Sequence, residues 1–402
     1  MAGGRPFQHL FRWLRENDPV HWHEEPNGGR GFWAITKYED VREVTRDAET
    51  FSNYKGGIHI PDTTDENLAG ARNMMLFMDP PEHTRYRNTV KKEFTPRQAA
   101  RLTQRIQELA SQIVDEVIER GECDLVTDIA GELPSYVIAE LMGIPLEDGR
   151  KLYEWTEIMH STDHSIPYEE RAQALPNMLN YARSVAKEKQ GAPGNDLATA
   201  ILEAELDGEQ LSDAEFDWFF LLLINAGGDT TRNLVAGGME VLFKRPDERE
   251  RLRQNLDELL PTATEEMLRF CSPVAYMRRT ATRDTELHGK RIREGDKLAL
   301  FYGSANRDEE QFPDPDTFDV GRTPNEHVAF GGGGPHYCLG AHVARIEIQA
   351  ILRELLTRVP DMEPAGDVER LPSVFIAGPR HLPVRFTPGK RHGIGAAPGT
   401  SG

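Results

Sequence analysis

One run of sequence governs what this chain can fold into: FDWFFLLLINAGGDTTRNLVAGGMEVLFK, residues 216–244, apolar over most of its surface and closed by Pro246. Ser212-Asp213-Ala214-Glu215 just ahead has the spacing of a capping box, so a helix starts there. At 1.5 Å per residue the rod is roughly 45–50 Å long, enough to cross a molecule. Its longest unbroken apolar stretch, Trp218 to Ile224, is far below the roughly 20 residues that span a bilayer. The helix therefore calls for a large protein core around it, and 402 residues can supply one. In its middle sit Gly227 and Gly228, each costing about 1 kcal/mol relative to alanine, followed by Asp229, Thr230 and Thr231. Close helix packing, with the threonines bonded back to carbonyls, explains the glycines. A widened turn over a bound ligand, where a hydroxyl and a carboxylate manage water and protons, also explains the acid. The second reading is preferred and the first stays open.

The rest of the chain reads as one α-rich domain with minor β. HWHEEPNGGRGFWAIT suggests two short strands around a glycine turn. Pro81 to Tyr181 is mostly helical, broken near Thr95-Pro96, Gly121 and Gly143-Ile144-Pro145. A second helical block runs from Ser212 to Phe270, punctuated by Pro246 and Pro261. Short strands follow between Arg279 and Leu300. Asn306 to Pro335 is an irregular segment, and loops of that length are usually functional. A last helix runs from Cys338 to before Pro360, with β-like LPSVFIAG and LPVRF beyond. The expected domain is 1–387, with 388–402 a disordered tail. A net charge of −19 argues against nucleic-acid binding, which needs cations to neutralise phosphates. Three cysteines without a framework suit a reducing cytoplasm, and no signal peptide or membrane anchor is visible in the sequence.

The stretch HVAFGGGGPHYCLGAHVARIEIQAIL carries the sharpest chemistry. Four glycines and a proline lead to Cys338, and helical periodicity begins directly after it. Unpaired amides and the positive end of the helix favour a thiolate there. Gly340 would let a flat ligand lie close. This suits a thiolate bound axially to haem iron, an arrangement that favours O–O cleavage. Three other readings stand beside it. Cys338 could be an ordinary buried thiol. A zinc site of His336, Cys338 and His342 lacks a second ligand pair at finger spacing. A phosphate loop lacks the Lys-Ser or Lys-Thr that should follow the glycines.

Taken with His83-Thr84-Arg85-Tyr86-Arg87, Ala226-Gly227-Gly228-Asp229-Thr230-Thr231, Glu266-Met267-Leu268-Arg269 and the FDVGR that holds Arg322, these segments make the chain similar to the cytochrome P-450 family from about Pro19 to Phe386. The resemblance implies a mainly α fold with minor β, a single domain with a long central helix over haem b. It implies Cys338 as axial metal ligand, with His83, Arg87, Gly227, Arg279, Phe330, His336 and Gly340 also binding the cofactor. Asp229 and Thr230 would be catalytic, Glu266, Arg269 and Arg322 structural, and Ala226, Val274, Ala275 and Phe375 would line the substrate pocket. Phe330 stands eight residues before the cysteine where the family usually has seven. In this the chain resembles the sub-group that oxidises sterol side chains and methyl-branched lipids. The chain also starts later than members usually do.

The implied activity is monooxygenation of a hydrophobic steroid, terpenoid or branched or fatty-acyl lipid by dioxygen. No flavin or nicotinamide fingerprint is present, so electrons would come from a separate ferredoxin and reductase. Between Arg85 and Arg105 lie seven basic residues and one acidic, with Arg85, Lys91 and Lys92 a candidate docking face. A solvated helix face is the equal alternative. Competing functions on the same scaffold are a haem-thiolate binding or sensing protein without turnover, a peroxide-driven hydroxylase, and an oxygen-independent isomerase or dehydratase. The Asp229–Thr230 pair argues against each.

Overall fold

The computed structural model describes residues 7–160, 166–206 and 208–393. A five-stranded sheet is built from β1 (Val20–His23), β2 (Phe32–Ile35), β3 (Phe51–Ser52), β4 (Met277–Ala281) and β5 (Lys297–Leu300), in the order β1-β2-β5-β4-β3. Its first hairpin is the one expected around the glycine turn, pairing Val20 with Ile35 and His23 with Phe32. β5 runs parallel to β2, and the other neighbours are antiparallel.

Helices make up the larger part. Those that build the site are α1 (Tyr38–Arg46), α2 (Glu82–Val90), α3 (Thr103–Val117), α4 (Glu132–Met142), α5 (Leu146–His160), α6 (Asp213–Phe243), α7 (Leu256–Cys271) and α8 (Ala341–Arg358). The capping box at Ser212 and Glu215 is formed, each supplying the other's backbone N–H with an acceptor. α6 packs against α4, α5, α7 and α8, which is why it is apolar over most of its surface. No helix among the described residues is long and apolar enough to cross a membrane.

Three expectations need adjustment. Pro261 does not punctuate the second block, because it lies inside α7, and the break falls at Asn255. The missing N–H of Pro261 would have bonded the carbonyl of Asp257, an exposed residue of the first turn. LPSVFIAG is no strand, although Ile376 bridges Val274, and the ladders involve Pro379–His381 and Pro383–Arg385 instead. The start of the supposed tail is bonded to α3 and the residue after it: Gly389 N–H donates to Ile118 O at 2.9 Å, and those of His392 and Gly393 to Asp115. Residues 394–402 of that tail lie outside the described residues.

An irregular segment, residues 306–340, must satisfy its backbone without a ladder. Arg269 does much of this. It grips Glu266 with two bonds of 2.8 Å and sends further N–H groups to the carbonyls of Asn306 and Pro315, each at 2.8 Å. Arg322 reaches the same Glu266 at 3.2 Å and the Pro313 carbonyl at 2.8 Å. Glu266 and Arg269 are wholly buried. Removing one member of such a pair strands the other charge in the core. Arg269→Ala should therefore destabilise the fold by about 3–5 kcal/mol, and urea unfolding of the variant would check it.

Candidate active site

The cysteine loop is pressed onto α1, which explains its glycines. Gly331, Gly333 and Gly334 have φ of +97°, +98° and +75°. A Cβ on Gly334 would fall 2.6 Å from the Thr45 carbonyl oxygen. The longer spacing from Phe330 is closed by a backbone bond, Cys338 N–H to Phe330 O at 3.0 Å. The Phe330 ring lies under Arg345, 4.7 Å from its guanidinium carbon.

Cys338 does not itself open the helix. Gly340 is the N-cap of α8, and the cysteine stands two residues ahead of it. Burial pushes the Cys338 thiol up, while the Gly340 N–H, Arg87 and Arg345 draw it down. A Cβ built on Gly340 would meet nothing within 4 Å, so a bare backbone surface adjoins the sulfur.

Both groups face a cavity of about 380 Å³. One wall is α8, through Gly340, Val343, Ala344, Glu347 and Ile348, the i, i+3, i+4, i+7, i+8 stripe of a helix. α6 contributes Ala226, Gly227, Asp229, Thr230 and Thr231. His83, Arg87, Arg279 and His336 also line it, and the two imidazoles lie 4.1 Å apart. Burial, Arg87 and Arg279 push His83 down to about 4; burial, Arg279, His83 and Arg87 hold His336 well below its ordinary value. Both rings are therefore neutral near pH 7, and the two arginines carry the charge. Among the described residues no carboxylate is within ion-pair distance of Arg87 or Arg279; the latter is buried and donates only to the Arg278 carbonyl, at 2.9 Å. His83 Nδ1 and His336 Nε2 are buried without a partner among the described residues.

The notch in α6 is not a widened turn. The helix runs unbroken from Asp213 to Phe243, and Thr230 bonds back to the Ala226 carbonyl at 3.3 Å. A Cβ on Gly228 would lie 3.1 Å from the Tyr153 ring, so close packing accounts for that glycine. Asp229 is buried nonetheless.

Of the residues the resemblance assigns to a substrate pocket, Ala226, Val274 and Phe375 line this cavity. Ala275 does not: its N–H bonds to the Phe375 carbonyl at 2.9 Å, and it packs into a separate cluster with Phe32, Tyr276 and Phe301. His342, part of the zinc alternative, is exposed. Sequence reading missed Glu347, which faces the cavity and bonds the Thr231 hydroxyl. Burial pushes it up to about 8, so it is protonated at neutral pH. An acid inside the apolar stripe of α8 was the available signal. It also missed Met74, Met75 and Phe77, which come from a single 3-10 turn too short to show periodicity.

A family profile, Cytochrome P450, matches residues 169–365. The methyl-branched lipid omega-hydroxylase of Mycobacterium tuberculosis is 41% identical, over 94% of this chain and 90% of that protein. The chain belongs to the cytochrome P450 family. The steroid C26-monooxygenase of Mycolicibacterium smegmatis is 38% identical over 96% of this cytochrome P450 and 92% of its own length. A Mycobacterium marinum cytochrome P450 in complex with pseudoionone superposes with a TM-score of 0.88 at 37% identity, covering 94% of both chains. This cytochrome P450 is a monooxygenase with haem b as its cofactor. The residues present fit that group. Two arginines without carboxylate partners and two orphaned imidazole nitrogens match its two carboxylates, and the bare surface at Gly340 beside a buried thiol matches its flat, metal-bearing centre.

Proposed function

We propose that this cytochrome P450 hydroxylates an unactivated C–H bond, with a terminal methyl as the preferred position, on a sterol side chain or a methyl-branched fatty-acyl chain. The carrying observation is the cavity wall beyond the charged groups, which is almost wholly apolar: Phe77, Phe94, Val137, Leu222, Val274 and Phe375 are among its members. Relatives named for oxidising methyl-branched lipids and steroids support the substrate class. Such a wall excludes water and binds hydrocarbon through buried area, about 25 cal/mol per Å².

Haem b, when bound, supplies the dioxygen activation. Cys338 would hold its iron, Arg87, Arg279, His83 and His336 would hold its carboxylates, and Gly227, Phe330 and Gly340 would be close packing surfaces. Asp229 and Thr230 are assigned to proton management. Dioxygen, two electrons and two protons convert R–H into R–OH and water. Thr230 offers a hydroxyl whose one bond among the described residues is long, 3.3 Å, and Asp229 offers a buried carboxyl one residue away. The test is titration of the ferric protein with sterols, methyl-branched fatty acids and terpenes. A low-to-high-spin shift with a sterol or branched lipid, and a terminally hydroxylated product, are the expected results. Hydroxylation confined to compact polar compounds would refute the substrate class.

Electrons are assigned to an acidic ferredoxin in the same reducing cytoplasm. α2 carries His83 and Arg87, and the next residues, Lys91 and Lys92, are exposed. Arg85 is engaged with Glu82 at 2.6 Å, but no acid lies in ion-pair range of Lys91, Arg97 or Arg101 among the described residues. Reversing both charges, Lys91→Glu with Lys92→Glu, should slow reduction about tenfold at low salt, with the difference shrinking as salt rises. Stopped-flow reduction at two ionic strengths measures it.

A further inference from the structure

The apolar wall of the cavity is broken at Asn225, which lines it and directly follows the longest apolar stretch of α6, Trp218 to Ile224. The Asn225 carboxamide is held from one side. Thr156 on α5 is wholly buried, and its hydroxyl donates to Asn225 Oδ1 at 2.9 Å, the shorter of its two contacts; the Leu152 carbonyl lies at 3.0 Å. That bond fixes which end of the amide meets α5, so the Nδ2 end faces away from it. Nδ2 makes no hydrogen bond among the described residues, and Asn225 is only half-buried on a helix packed on several sides, so the open space it meets is the cavity. Leu222, Leu223 and Ala226, its helix neighbours in the same wall, bring no acceptor side chain.

An amide donor at this place serves no hydrocarbon. A ligand that seals it from water without offering an acceptor takes away a bond and returns none. We propose that Asn225 is a specificity-determining residue of this enzyme, its Nδ2 donating to a carbonyl oxygen of the substrate, a ketone or acyl carbonyl set several carbons back from the methyl that is oxidised. The inference rests on the reading of the cavity as a site for a branched hydrocarbon chain, and narrows it to chains that carry such an oxygen. The spacing comes from the helix: Asn225 stands five residues before Thr230 on α6, roughly 7.5 Å along the axis. A carbonyl oxygen accepts through two lone pairs and has no proton to place, so it matches a group that only donates. A hydroxyl matches less well, because its own proton is left facing the apolar wall. Thr156 touches no substrate and is a positioning residue. Without its proton the amide is free to turn and present Oδ1 to the cavity.

The test is titration of the haem-loaded ferric protein with a ladder of terminally methyl-branched ketones in which the carbonyl is moved along the chain. Each is paired with the alkane that has a methylene in that place and with the corresponding alcohol, and the low-to-high-spin shift gives Kd. A ketone is harder to take out of water than an alkane, so the ketone-to-alkane preference is compared between proteins, which cancels that cost. Asn225→Leu keeps the bulk and removes the donor. It should lower the preference about tenfold, the worth of one hydrogen bond, for the best-placed carbonyl, and much less for carbonyls nearer either end of the chain. Thr156→Val should lower it too and move the preference towards the alcohol. A role confined to tying α6 to α5 would change the affinity for ketone and alkane alike and leave their ratio as it was. An unchanged ratio in Asn225→Leu, or a wild type that favours the alcohol over the ketone, overturns the assignment of Asn225 while spin shifts with the alkanes still uphold the hydrocarbon site. No spin shift with any member of the ladder overturns that reading as well.

Discussion

Cys338→His should bring oxygen insertion down by about three orders of magnitude, ~4 kcal/mol on the barrier at 1.4 kcal/mol per decade, while the protein folds and keeps its helices. The loop geometry supports that separation. The Cys338 bond to Phe330 is made by the backbone, and the turns before it are made by glycines, so neither depends on the sulfur. What the substitution removes is the thiolate, which favours O–O cleavage in a way imidazole does not. The Gly340 N–H, Arg87 and Arg345 that favour the anionic form would then face a neutral ring. The check is the absorption spectrum of the dithionite-reduced protein under carbon monoxide. Wild type should show the strongly red-shifted Soret band of thiolate ligation, and the variant a band at shorter wavelength. A red-shifted band in the variant, or full turnover, would remove Cys338 from the site.

Thr230→Ala should separate electron consumption from product. The hydroxyl lines the cavity and is bonded only weakly to the Ala226 carbonyl. Its loss takes away a proton-managing group without a large change in packing, and alanine suits the helix interior better. NAD(P)H oxidation should continue, hydrogen peroxide should accumulate, and product per NAD(P)H should fall by about a hundredfold, in the range for a lost acid–base group. Thr230→Ser, which keeps the hydroxyl, should restore most of the coupling. Peroxide and product assays on the same samples decide it. Unchanged coupling in Thr230→Ala would show that the hydroxyl carries no part of proton delivery.

Several parts of the site were readable as one-dimensional pattern because local physics produces them. A capping box needs residues three apart, so Ser212 and Glu215 announced the start of α6. Glu266 and Arg269 are likewise three apart on one helix, although their burial was not legible. A pair of that spacing is usually a surface contact worth a few tenths of a kcal/mol; only the irregular chain laid over α7 makes it a buried clamp. Glu347 shows the reverse difficulty. Its sequence position is plain, but its protonated state follows from burial beside Thr231, which is distant in the sequence.

The sequence by itself determined the helices, the glycine loop, the cysteine and the order of the motifs, since periodicity, capping and backbone freedom are local. Tertiary structure decided what those residues face. Packing turned the expected widened turn of α6 into an unbroken helix with Gly228 against Tyr153. It moved Ala275 out of the cavity and put Glu347 into it. Among the described residues it also left Arg87 and Arg279 without carboxylates while giving Arg232 the company of Glu157. Charge and desolvation depend on neighbours distant in the chain, and those neighbours are chosen only when the core closes.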